Sequence, residues 1–144
     1  MIWGVPVATV LVAAAAATLS ARRRLVAVTI WGASMEPSFR SGDRVLVRRT
    51  RAGRLHRGDV VVCSASASQS APFRAVDRTR WVLKRVAALP GNTVPPVVVP
   101  AVSAGIVPPG QLVLLGDHAA VSVDSRTAGF YSLDRVLGRV VRKF

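Results

Sequence analysis

From Leu25 onward the chain is a series of short valine-rich runs separated by glycine turns, and nothing in that stretch sustains a helical period. Runs of this length, rich in β-branched residues and bounded by turn formers, predict strands. They fall at residues 25–31, 44–48, 59–63, 81–88, 97–99, 111–115 and 136–141. The turns between them carry their own signals in Ser41-Gly42-Asp43, Arg57-Gly58-Asp59, Pro90-Gly91-Asn92 and Leu115-Gly116-Asp117. A mostly β domain is therefore expected. Two stretches depart from the pattern: residues 64–80 form a polar loop of alternating Ser and Ala, and residues 95–110 are proline-rich, which restricts them to extended or edge-strand geometry. With 144 residues and no internal repeat, one domain with a modest core is predicted.

Ahead of the strands, residues 1–21 carry no charge at all. A helix of about 20 residues spans roughly 30 Å, the thickness of a bilayer's hydrocarbon core, so a transmembrane anchor is predicted. A cleavable signal sequence is the alternative, but it would begin with a basic region that is missing here. Arg22-Arg23-Arg24 closes the span, and the positive-inside rule would hold those arginines, and the rest of the chain, in the cytoplasm. The organisation expected is an anchor over 1–21, a basic juxtamembrane segment with the first strand over 22–30, and a folded domain over 31–144. Net charge is +13, from 20 basic against 7 acidic residues, which calls for an anionic partner. No aromatic residues interleave with the basic ones as base stacking would require, so lipid headgroups are expected and nucleic acid is not. Cys63 stands alone in an apolar run and reads as a small core residue, and His56 and His118 lie far apart without a carboxylate pattern. No metal site is expected.

Three stretches carry chemistry. Gly32-Ala33-Ser34-Met35-Glu36-Pro37 places a serine on a tight strand-to-turn transition. A serine hydroxyl barely ionises at neutral pH, so Ser34 alone would be an ordinary polar turn residue. The second stretch, Trp81-Val82-Leu83-Lys84-Arg85-Val86, changes that. Neighbours on a strand face opposite sides, so Lys84 and Arg85 point apart and one of them faces inward. Burial without a carboxylate partner lowers a lysine from its ordinary value near 10.4, and a neutral amine is a competent general base for a serine. Lys84 and Lys143 are the only lysines among the 20 basic residues, and an arginine at 84 would stay protonated. In the third stretch, Gly116-Asp117-His118 through Ser122-Val123-Asp124-Ser125-Arg126, Ser122 is placed to hydrogen-bond the Lys84 amine. Asp124 and Arg126 are close enough for an ion pair that braces the loop.

In this order the three stretches resemble type I signal peptidases, the bacterial and organellar S26 peptidases that use a lysine, and the similarity covers nearly all of residues 31–139. The resemblance implies Ser34 as nucleophile, Lys84 as general base, Ser122 as the hydroxyl that orients the lysine, and the Ser34 backbone N–H as an oxyanion donor. Some members add a serine hydroxyl two residues before the nucleophile; here that position is Gly32. The family's usual asparagine after Gly-Asp is His118, and its usual aspartate after Pro-Gly is Asn92.

The resemblance further implies a compact, barrel-like β catalytic core over 31–144; no cofactor is expected, and a monomer is expected. Its substrates would be the signal peptides of exported preproteins, cut after small-x-small sequences such as Ala-x-Ala and bound as an added extended strand. Met35 and Leu83, which flank Ser34 and Lys84, are candidate pocket walls. The family's catalytic domain lies on the extracytoplasmic side of a single-pass anchor, opposite to the orientation that Arg22 to Arg24 favour. The family's placement is preferred, with the three arginines on anionic headgroups there. Alternatives are a pilin or conjugation-type Ser-Lys peptidase, a self-cleaving repressor, and a non-catalytic membrane-anchored binding protein. The repressor would need a DNA-binding region where the chain is apolar.

Overall fold

The computed structural model describes residues 7–64 and 81–144, so the polar loop expected over 64–80 lies outside the described residues beyond Ser64. Seven strands form one antiparallel sheet: β1 (Leu25–Thr29), β2 (Arg44–Arg49), β3 (Val60–Ser64), β4 (Trp81–Ala88), β5 (Gln111–Leu115), β6 (Tyr131–Ser132) and β7 (Val136–Lys143). Their spatial order is β1-β2-β7-β3-β4-β5-β6. The sheet curls into an open half-barrel, with register shifts at Leu46/Val47, Val62/Cys63 and Val86/Ala88 that bend the strands.

Burial follows the sequence pattern strand by strand. β2 alternates, with Val45 and Val47 fully buried and Arg44 and Arg48 exposed, as a strand with one wet face should. β3 and β5 are apolar without alternation because both of their faces are covered. Val62 joins a cluster with Val28, Ile30, Met35, Val45, Val47 and Leu83 on one face. Val61 and Cys63 join Leu55, Val86, Leu112 and Leu114 on the other. A third cluster, Ala88, Val94, Val98, Val107 and Val113, closes the far end.

Three expectations need correcting. The strand predicted at 97–99 is absent. Pro95, Pro96 and Pro100 cannot donate to a ladder, and the segment closes instead into i to i+3 turns, Val98 N–H to Pro95 O and Ala101 N–H to Val98 O, that end in the 3₁₀ turn Val99–Ala101. The one-turn helix α2 (Ser125–Ala128, the second α-helix among the described residues) and the short β6 were not anticipated, being too short to leave a periodic signal. Finally, the first helix, α1, runs over Val7–Arg23, 17 residues or roughly 26 Å, and no helix among the described residues is long and apolar enough to cross a membrane. The transmembrane anchor expected over 1–21 is therefore not supported, the run Ala13 to Ala17 adding length with little apolar surface; residues 1–6 lie outside the described residues. What α1 does present is exposed apolar surface, at Val7, Val10, Leu11, Val12 and Leu19.

Candidate active site

β1 gives way at Ile30 to a loop closed at its base, where the Ile30 N–H donates to the Asp43 carbonyl (3.0 Å) and the Gly42 N–H to the Ile30 carbonyl (2.9 Å). Gly32 enters the loop at φ 103°, a conformation that glycine adopts without strain. Ser34 sits half-buried two residues on. Among the described residues no acceptor takes its N–H.

Lys84 lies at the middle of β4, paired opposite Val61 of β3, and is 4% exposed. It shares its face with Val82 and Val86, and with Val61 and Cys63 across the pair. Burial in these surroundings pulls its amine below the ordinary lysine value. Cys63 would oppose that as a thiolate, but burial pushes its thiol up to about 12, so it stays neutral and supplies no counter-charge. Among the described residues the carboxylate acting on the amine is Asp124, whose own charge is met by Arg126. The Lys84 Nζ donates to Ser122 Oγ at 3.1 Å.

Gly116 is where the Ser34 turn meets the loop that carries Ser122. A Cβ built there would lie 2.6 Å from the Ser34 carbonyl oxygen and 2.6 Å from Ser122 Cβ, and would strike Ser122 Oγ. The His118 N–H donates to the same Ser34 carbonyl at 2.9 Å, and the Ser122 N–H to the His118 carbonyl at 3.1 Å. Ser34 and Ser122 therefore close on Gly116 together, with the Lys84 amine on Ser122. Met35 and Leu83, the expected pocket walls, are buried in one cluster at 3% and 1% exposure. Neither lines the groove of about 430 Å³ along β1, whose walls include Val26, Val28, Trp31, Arg49 and Trp81. Asn92 accepts from the Leu89 N–H (2.9 Å) and caps its turn, whereas the His118 Nδ1 is buried without a hydrogen-bond partner among the described residues.

Asp124 is fully buried and caps α2, its Oδ1 accepting from the Arg126 N–H (3.1 Å) and its Oδ2 from the Gly116 N–H (2.8 Å). The Arg126 fork grips both oxygens, at 3.0 and 2.7 Å. Burial alone would raise this carboxyl, but Arg126 and the Gly116 N–H, with the Ser122 hydroxyl, hold it down at about 2. Asp124→Ala removes a cap worth about 1 kcal/mol and leaves the buried Gly116 N–H unpaired at about 1–3 kcal/mol, so a loss near 3 kcal/mol is expected in denaturant unfolding. The native carboxyl lies below its unfolded value of 3.8, so its contribution is present above that value and fades as pH falls toward 2. The wild-type minus Asp124→Ala difference should shrink across that window.

The sequence did not disclose a second brace. Arg85, turned away from Lys84 by the strand's alternation, grips Asp117 through Nε (2.8 Å) and a terminal nitrogen (2.7 Å), and donates to the Gly58 carbonyl (2.9 Å). Ser38 Oγ donates to Asp117 at 3.3 Å, and the Asp117 N–H to Met35 Sδ at 3.4 Å. Both partners stood in motifs quoted above, but 32 residues separate Arg85 from Asp117 and only the β4–β5 pairing joins them.

A family model described as signal peptidase, peptidase S26 matches residues 3–97 and 95–144. The chain belongs to the S26 signal peptidase family. A curated relative, signal peptidase IB of Staphylococcus aureus (strain COL), is 26% identical over 81% of this chain and 75% of that protein. The crystal structure of a signal peptidase I from Enterococcus faecalis V583 is similar at 20% identity, over 60% of this chain and 96% of that one, with a TM-score of 0.43. As an S26 signal peptidase this chain is a serine peptidase, a hydrolase.

Proposed function

We propose that this chain removes signal peptides from exported preproteins after small-x-small sites, Ala-x-Ala among them, by a Ser34–Lys84 dyad. The observation that carries this reading is a lysine almost fully buried on an apolar strand face, its amine directed by Ser122 beside the Ser34 turn. The neutral Lys84 amine takes the Ser34 proton as Oγ attacks the scissile carbonyl carbon. The Ser34 N–H donates to the oxyanion that forms. The Lys84 ammonium then gives its proton to the departing amine, and the regenerated amine deprotonates the water that hydrolyses the acyl-enzyme. Asp124 and Arg126 act at one remove, by holding the Ser122 loop.

Strand pairing supports an extended substrate. On its β5 side β4 is paired only from Arg85 onward, which leaves the backbone of residues 81–84 on that side without a strand partner among the described residues. β1, whose end leads into the Ser34 loop, pairs only with β2 among the described residues. A peptide entering between these edges would gain main-chain hydrogen bonds from both and present alternate side chains to the walls. We place the domain on the extracytoplasmic face of a membrane, where exported chains emerge, with exposed apolar residues of α1 and exposed arginines such as Arg24, Arg48 and Arg49 against lipid and anionic headgroups. The deciding experiment is cleavage of a preprotein with an Ala-x-Ala site by the detergent-solubilised chain and by Ser34→Ala. Cleavage at that site by the wild type alone is expected; a wild type inert toward several such substrates would overturn the proposal.

A further inference from the structure

Of the two lysines in the chain, one is Lys84; the other, Lys143, ends β7 and reaches the loop that carries Ser34. Its Nζ lies 2.6 Å from Asp43 Oδ2, donates to the Ser38 carbonyl at 3.3 Å, and stands 5.6 Å from the centre of the Phe39 ring. These three partners come from different parts of one loop. Asp43 closes its base with Ile30, and its carboxylate also accepts from the Arg40 N–H at 2.8 Å. Ser38 lies at its middle and holds Asp117 through its hydroxyl. Phe39 packs on the cluster containing Met35, next to Ser34, and its N–H donates to the Met35 carbonyl at 3.0 Å. Among the described residues, the loop's other side-chain hydrogen bonds to the rest of the domain run to Asp117, on the opposite flank. Without Lys143 the loop would be fastened at its base and along one side.

We propose that Lys143 is a positioning residue for the peptidase reaction, clamping the 34–43 loop from the β7 side so that Ser34 is held in register with Lys84. The inference rests on Ser34 being the nucleophile. An ion pair this open to solvent, with the lysine side chain 40% exposed, adds little to global stability. Its effect falls on geometry, to which proton transfer and attack are steeply sensitive. Carboxylate, carbonyl and ring face all favour a cation at this point, and the Asp43 carboxyl is held below its ordinary value by the Arg40 N–H and by Lys143.

The test compares wild type, Lys143→Met and Lys143→Arg in the detergent-solubilised full chain. Lys143→Met is expected to lower kcat on the order of tenfold, with KM within about twofold and the thermal midpoint nearly unchanged. The acid limb of its pH profile should stay in place, because the groups that act on Lys84 among the described residues, Cys63, Asp124, Arg126 and the Ser122 hydroxyl, are untouched. Lys143→Arg, which keeps the cation, should recover most of the rate. Hydrogen exchange measured without substrate should quicken at the Phe39, Arg40, Gly42 and Asp43 amides in Lys143→Met and not in β3 or β4. Unchanged kcat, a rate loss shared equally by Lys143→Arg, or unchanged exchange in the loop would each overturn the proposal. A wild type without activity would instead remove the nucleophile assignment, and the exchange measurement would still decide whether Lys143 clamps the loop.

Discussion

Lys84→Met is expected to abolish cleavage, by about 10³- to 10⁴-fold in kcat, and at the same time to raise the thermal midpoint at neutral pH. Both effects have one cause. Lys84 is buried among Val61, Cys63, Val82 and Val86, with a neutral thiol beside it and a carboxylate already engaged by Arg126, so its ammonium is poorly compensated. Burial lowers its value in the fold below the ordinary 10.5. For a base so depressed, the unfolded chain binds more protons between the folded and unfolded values, and wild-type stability therefore rises with pH through that window. Below the folded value the folded state carries the full cost of burying the charge. Above 10.5 the cost is gone. Methionine keeps the bulk and removes the charge, so its stability advantage should be greatest at low pH and fade toward pH 10.5, as thermal melts at a series of pH values would record. Activity of the wild type should fall as pH drops through the folded value, because a protonated amine cannot accept the Ser34 proton. A wild-type rate flat into mildly acidic pH would exclude Lys84 as the base.

Gly116→Ala should cost less activity than Lys84→Met but should also destabilise the fold. The new Cβ would meet the Ser34 carbonyl oxygen and the side chain of Ser122, which accepts from Lys84, at separations no real Cβ tolerates. Neither neighbour yields cheaply. The Ser34 carbonyl is held by the His118 N–H, and Ser122 is held by Lys84 and by its own backbone bond to His118. The loop must therefore move away from Ser34. A kcat loss of about 10²-fold follows from a displacement near 1 Å, together with about 1–3 kcal/mol of overpacking. Gly105→Ala is the control: a Cβ there meets nothing within 4 Å, and stability and rate should stay near wild type. Parallel kinetics and denaturant unfolding of the two variants would separate loss of the site from loss of the fold.

Local chemistry made much of this chain legible from its residues. Valine-rich runs between glycine turns marked six of the seven strands, because β-branched side chains and turn formers act within a few residues of one another. The segment at 97–99 misled for the same reason: its valines read as strand, while Pro95, Pro96 and Pro100 withheld the donors that a ladder needs. The N-terminal stretch misled in another way, the absence of charge over residues 1–21 suggesting a bilayer span that the length and alanine content of α1 do not support.

By itself the sequence determined which groups were present: a serine on a glycine turn, a lysine and an arginine as neighbours on a strand, and an aspartate and an arginine two residues apart, close enough to pair. Alternation on that strand meant that only one of Lys84 and Arg85 could face inward. Which one did depended on the tertiary structure. Burial against β3 turned Lys84 toward the apolar face, whereas Arg85 met Asp117, 32 residues away. The glycine at 116 looked like any turn former until the approach of Ser34 and Ser122 left no space for a side chain. Charge state, close approach and the clamp from Lys143 all arise from residues distant in the chain, and sheet closure alone sets their separations.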